Sequence, residues 1–252
     1  MQRALDLDPT LSEAHSARAT IAFVLEWDWR TSEAEFRRAL EFDPGNLWAH
    51  GFFMQSLADQ GRIDEALQQA EIARKLDPTF TSPAEMTVGM LLLWKGDTAG
   101  ALAAWQRDLR LDPAHYGSLL HLGAYHCRSG NDTEGMKLLE RAQGLYPETP
   151  RALAEIGACH AVAGRSTEAD RVVLELEAWL EREYIDPVNL AIVHAALRND
   201  ELVFDWLSRG FDVRSSLMTS IGSDPRFERL YSDSRFRDLV QRIGLREPSP
   251  RG

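Results

Sequence analysis

Residues 46–78 read NLWAHGFFMQSLADQGRIDEALQQAEIARKLDP, and this stretch decides the fold. Its first half places apolar residues at 47, 48, 52, 53, 54 and 57, which form one wide face of a helix. Gly61 follows, and glycine readily takes the left-handed conformation that closes a helix. The second half sets Ile63, Leu67, Ala70, Ala73 and Leu76 at helical spacing. Asp77-Pro78 stops it, because proline lacks an amide hydrogen and disfavours helix in the residue before it. The unit is therefore helix, tight turn, helix, stop.

The same grammar recurs along the chain. Pro9, Pro44, Pro78, Pro113 and Pro147 are separated by 35, 34, 35 and 34 residues, and they close the phrases LDLDP, LEFDP, RKLDP, LRLDP and GLYP. Gly61, Gly96, Gly130 and Gly164 keep the same rhythm in the turns. Gly89, Gly123 and Gly157 fall 34 apart inside first helices, where glycine costs about 1 kcal/mol relative to alanine. The expected compensation is close approach of the paired helix. Ala66, Ala101 and Ala169, five residues beyond a turn glycine, suit the same tight crossing, and Gly135 holds that slot in the unit between. A 34-residue period is the mark of an array of helical hairpins.

These residues resemble the tetratricopeptide repeat. Gly89, Ala101 and Pro113 fill that family's small, alanine and proline slots. Gly123 with Pro147, Gly157 with Ala169, and Ala66 with Pro78 fill two each, while Met54 departs at the small slot. The family's aromatic slot holds Phe36 and Trp105, but elsewhere Ala70, Leu139 and Val173. Two further stretches are LEWDWRTSEAEFRRALEFDP at 25–44, with a tryptophan pair in place of the turn glycine, and IGSDPRFERLYSDSRFRDLVQRIGL at 221–245. Both resemble the C-terminal halves of bacterial multidomain regulators, in which a winged-helix domain, a protein kinase or a nucleotide cyclase precedes the array. The resemblance implies an all-α, right-handed α-solenoid of stacked antiparallel helix pairs. It also implies a non-catalytic interaction scaffold whose partner is a protein, a peptide or its own upstream effector domain.

The expected organisation is an array over 1–210, a helical C-terminal cap over 211–245 and a disordered tail over 246–252. The array divides into a half repeat at 1–9 and repeats of about 10–44, 45–78, 79–113, 114–147, 148–184 and 186–210. The opening MQRALDLDP reads as a second helix whose first is missing, so the chain is expected to be part of something longer. The apolar face of that half repeat offers a surface for pairing with another copy. Self-association, or a spacer role in a signalling protein, is the alternative to ligand binding.

Charge narrows the partners. The chain has 252 residues and a net charge of −11; residues 1–200 carry −12 and residues 201–252 carry +1. An acidic body repels phosphate backbones, so nucleic acid is not an expected partner. No apolar run reaches membrane-spanning length; MLLLW at 90–94 is ended by Lys95-Gly96-Asp97. Two cysteines, Cys127 and Cys159, make no disulfide framework, and with no visible signal peptide a reducing cytoplasm is the default.

First helices of such an array line its concave face. In the family's register that face carries Trp48, Gln55, Met86, Met90, Trp94, Tyr116, Leu120, His121 and Arg128. Aromatic groups supply contact area and methionine adapts to varied shapes, so the set reads as a groove for an apolar or amphipathic segment. The competing reading is packing between repeats. The slots where chaperone-binding members clamp a C-terminal carboxylate hold Gly51, Gln55, Met86, Met90, Leu120 and Ala124, so that mode is not expected. His126-Cys127 and Cys159-His160 have zinc-ligand chemistry and supply the only enzymatic reading. Adjacent helical residues point about 100° apart, however, and core packing accounts for the four more simply. No HExxH, nucleotide loop or nucleophile elbow is present, so no catalytic residue, cofactor or metal is assigned.

Overall fold

A computed structural model describes residues 2–77 and 82–247. Pro78 and the tail beyond 247 lie outside the described residues. After a short helix α1 (Gln2–Leu7), antiparallel pairs follow: α2 (Ser12–Ile21) with α3 (Trp29–Phe42), α4 (Leu47–Asp59) with α5 (Ile63–Leu76), and α6 (Ser82–Trp94) with α7 (Thr98–Leu111). Next come α8 (Tyr116–Arg128) with α9 (Asp132–Leu145), α10 (Pro150–Val162) with α11 (Ser166–Leu180), and α12 (Val188–Leu197) with α13 (Asp200–Asp212). First helices touch in succession, α2 to α4 to α6 to α8 to α10 to α12, so the fold is an all-α solenoid.

Local chemistry sets the pair boundaries. Asp28, Asn46 and Asp97 cap α3, α4 and α7, their side chains accepting from the amides of Thr31, Ala49 and Gly100. The Nε2 of His15 donates to the Pro9 carbonyl at 2.9 Å, and that of His50 to the Pro44 carbonyl at 3.1 Å, tying each first helix to the preceding stop. The turn glycines Gly61, Gly96, Gly130 and Gly164 all have φ between 74° and 88°. In the first pair a wider π-helical turn (Ala22–Glu26) leads to Trp27, which adopts φ 56° in their place. A left-handed non-glycine costs about 1–2 kcal/mol. Burial of the indole, 7% exposed and 5.2 Å from the Phe211 ring, offsets that cost.

The helical glycines mark close approach. A Cβ on Gly89 would collide with Nε1 of Trp105, whose buried indole lies across α6 and donates to the Met86 carbonyl at 3.1 Å. Gly123 and Gly157 face Leu139 and Val172 of their paired helices in the same way.

Beyond α13 the chain turns back. Two 3₁₀ turns (Ser216–Ser220 and Pro225–Leu230) and a last helix, α14 (Ser234–Arg242), form a closing segment. The first turn packs on residues 22–26 and on α4, the second on α12. Trp29 Nε1 donates to the Ile243 carbonyl at 2.7 Å, and Arg214 donates to the Glu26 carbonyl at 3.1 Å while lying over the Trp27 ring. Trp27 accordingly belongs to the same hydrophobic core as Leu153, Phe227 and Leu245. The C-terminal segment thus reaches back to the first helix pair as well as packing on the end of the array.

Cys127 of α8 and Cys159 of α10 form a disulfide, with Cα atoms 5.2 Å apart. This corrects the expectation that the two cysteines make no disulfide and serve only as core residues. The thiols are 32 residues apart, close to one repeat length, and neighbouring first helices bring them together.

Candidate functional site on the concave face

The closing segment roofs the concave face, and a cavity of about 390 Å³ lies between it and the first helices. Seven of the nine groove residues line it: Gln55, Met86, Met90, Trp94, Leu120, His121 and Arg128. Phe23, Phe52, Leu93 and Trp105 complete the apolar wall, and Ser216, Leu217, Thr219, Ser220 and Pro225 form the roof. Two predicted groove residues lie elsewhere. Trp48 is 64% exposed and stacks on Phe52, beside a separate slot between α2 and α4. Tyr116 packs edge-on against Tyr146, 5.1 Å between centroids, and burial pushes its hydroxyl pKa up to about 12.

Polar groups enter this wall at specific places. Asp59, at the end of α4, is 3% exposed. Its Oδ1 accepts from Gln55 Nε2 at 2.7 Å. The neighbouring Thr219 hydroxyl donates instead to the Ser216 carbonyl at 2.9 Å, and Asp59 Oδ2 has no hydrogen-bond partner among the described residues. Burial raises the Asp59 carboxyl to about 7. His121 stacks on Trp105 at 6.1 Å, and burial, aided by the Arg151 cation, lowers it to about 3, so it is neutral at pH 7.

The far wall is a charged cluster. Arg226 of the roof bonds both Asp224 and Glu155 of α10. Burial opposes ionisation of Asp224, but the Arg226 guanidinium outweighs it and holds the carboxyl at about 2. Arg151, one turn before Glu155 on α10, completes the group. Sequence reasoning missed Asp59, Arg151, Glu155 and Arg226. A single charged residue on a first helix carries no periodic signal, and the roof could not be placed from local pattern. The doubled D-P/S-R-F phrase was the one available clue.

The His/Cys cluster is not brought together as four ligands. The two sulfurs are bonded to each other; His160 Nδ1 accepts from Arg165 Nε at 2.9 Å, and His126 lies against Tyr125. Among the described residues no group of three or more His, Cys, Asp or Glu side chains is placed to hold a metal ion. Nor is any helix of the described residues long and apolar enough to cross a membrane.

No protein-family model and no curated protein matches the sequence. Solved structures do match the fold. A structure described as "Functional Characterization of Pseudomonas Aeruginosa pilF" superposes with a TM-score of 0.57 at 21% identity, over 72% of this chain and 82% of that one. The type IV pilus biogenesis factor PilW gives 0.60 at 18% identity, over 88% and 98%. A tetratricopeptide repeat protein from Parabacteroides merdae gives 0.53 at 16% identity, over 92% and 91%. With its period, its glycine turns and these likenesses, the chain has the fold of the tetratricopeptide-repeat proteins.

Proposed function

We propose that the chain is a protein-interaction scaffold that accepts a segment of a partner protein at its concave cavity. The observation that carries this reading is the convergence of Gln55, Met86, Met90, Trp94, Leu120, His121 and Arg128 on one space of about 390 Å³. An α-helix with its side chains is about 10 Å across, and a cavity of this size sits at the small end of ligand sites. It therefore takes the anchor side chains of a segment, with the rest of that segment lying along the mouth. The paired methionines adapt to the shape of the anchors. The resemblance of residues 25–44 and 221–245 to multidomain regulators supports placing the scaffold in a larger bacterial regulatory protein. A photo-crosslinking residue at position 90, compared with one at position 48, tests this. Crosslinks to a partner are expected from 90 and to be reduced by Leu120→Trp; crosslinks from 48 alone sink the cavity model.

The Cys127–Cys159 disulfide favours a second reading of location. Disulfides persist in oxidising compartments, which argues against the cytoplasmic default. Alkylation of free thiols in intact cells, followed by mass spectrometry without reduction, decides between them. Labelled cysteines support the cytoplasm, and an unlabelled pair supports an oxidising compartment.

A further inference from the structure

The cavity has unlike ends. Its lining follows the order of the first helices, from Phe52 on α4 through Met86 and Met90 on α6 and Leu120 on α8 to Arg151 and Glu155 on α10. The middle of the lining is therefore apolar, with Gln55 and the buried Asp59 on α4 to one side and a charged cluster at the α10 end. At the charged end the two cations differ in their partners. Arg226 is saturated by Asp224 and Glu155. Arg151 is not, although its side chain is only 14% exposed. Its Nε lies 3.4 Å from Glu155 Oε1 without making a hydrogen bond, and neither Nε nor Nη1 has a hydrogen-bond partner among the described residues. A buried charged donor left without an acceptor is costly, and a carboxylate is the group that best relieves it. The wall also carries Arg128, giving three guanidinium groups against Asp224, Glu155 and the buried Asp59.

We propose that this cavity binds a small carboxylic acid with a compact apolar body. The carboxylate accepts from the Arg151 guanidinium, and the body lies against Met86, Met90 and Trp105. An aryl-propionic acid has the right character. Its ring lies along the methionines of α6, clear of Gln55 and Asp59 on α4, and its charge meets the Arg151 guanidinium at the α10 end. The site needs no protein partner, so it goes beyond the scaffold reading, although both use the same space.

The test is titration calorimetry of the full chain with 3-phenylpropionate, its amide and its amine. Saturable binding of the acid is expected, about tenfold or more tighter than the amide, with the amine weakest. Arg151→Met is expected to weaken the acid about tenfold and to erase its preference over the amide, while Arg151→Lys keeps part of it. Leu120→Trp, which fills the cavity and leaves the charges in place, is expected to abolish binding. Circular dichroism on each variant identifies any that fails to fold, and Arg151→Lys and Leu120→Trp carry the test if Arg151→Met does. Equal binding of acid and amide, unchanged affinity in the Arg151 variants, or no saturation by the acid below ~10 mM overturns the proposal. Loss of acid binding with the position-90 crosslink intact removes only this inference. The reverse result removes only the scaffold reading.

Discussion

The closing segment contains one motif twice, Asp224-Pro225-Arg226-Phe227 and Asp233-Ser234-Arg235-Phe236. Both copies start the same way. Each aspartate caps a turn by accepting from the arginine amide two residues on, and each arginine side chain returns to that aspartate. Both phenylalanines are fully buried, 6.1 Å apart. Each arginine then reaches an acid of the array: Arg226 to Glu155 of α10, Arg235 to Glu201 of α13. The copies differ in solvent. Arg226 and Glu155 are 15% and 4% exposed, whereas Arg235 and Glu201 are 45% and 84% exposed. Identical covalent chemistry therefore makes a buried ion network in one copy and a screened surface pair in the other.

The largest predicted effect breaks the buried copy. Arg226→Met leaves Glu155 and Asp224 as buried carboxylates that have lost their main cation, so a loss of about 3–5 kcal/mol in urea denaturation is expected. A loss under about 1 kcal/mol would mean that burial does not distinguish the two copies.

Asp59 sharpens the comparison because it lines the same cavity as Thr219 and Asp224 of the closing segment. Its unfolded carboxyl titrates near 3.8 and its folded one near 7. The folded state thus holds a proton that the unfolded chain has released, and stability falls as pH rises from about 4 through about 7. Asp59→Asn is expected to remove that decline, gaining about 3–4 kcal/mol over wild type at pH 8 and little at pH 4. Thermal melts at the two pH values measure it; equal effects at both would contradict the buried ionisation.

The disulfide offers a third contrast. It crosslinks α10, the helix on which Arg226 docks, to α8, while α13 beneath Arg235 has no such tie. Cys159→Ser is expected to cost about 3 kcal/mol, from a closed loop of 32 residues. It should add less than its full cost to Arg226→Met, since both loosen one helix. The smallest effect belongs to the exposed copy. Arg235→Met is expected to cost least of the four, mostly through its lost contact over the Phe204 ring at 3.9 Å, and to be insensitive to salt. A strongly salt-dependent loss would show that the ion pair dominates after all.

Much of the fold was legible because helix pairing is local. Gly89 against Trp105 and the turn at Gly61 are contacts within one repeat, and a 34-residue period reports them. Trp27 stood out as a break in the glycine rhythm, and it does occupy the left-handed turn. What stayed hidden depends on distant partners. Arg226 meets Glu155 across 71 residues and Trp29 meets Ile243 across 214, and neither has a periodic signature. Seven of the nine expected groove residues share one cavity because they sit on successive first helices, whereas Trp48 and Tyr116 lie outside it. The roof above them, the two Arg151 nitrogens without a hydrogen bond and the raised carboxyl of Asp59 depend on closure. The disulfide was missed because two cysteines in a chain with no visible signal peptide were read as core residues of a reducing compartment, although both dipeptides were placed on adjacent first helices.

The bond from Trp29 to the Ile243 carbonyl also bears on how the molecule comes apart. An open stack of hairpins has two free ends, and its unfolding can begin by peeling a terminal unit while the others stay folded. Here the last elements are fastened to the first pair, so that beyond the short α1 neither the first pair nor the closing segment can peel away without tearing the shared core around Trp27. Such a chain unzips in a single cooperative step. It also reaches the native state late, because a contact spanning 214 residues must close before the array is complete.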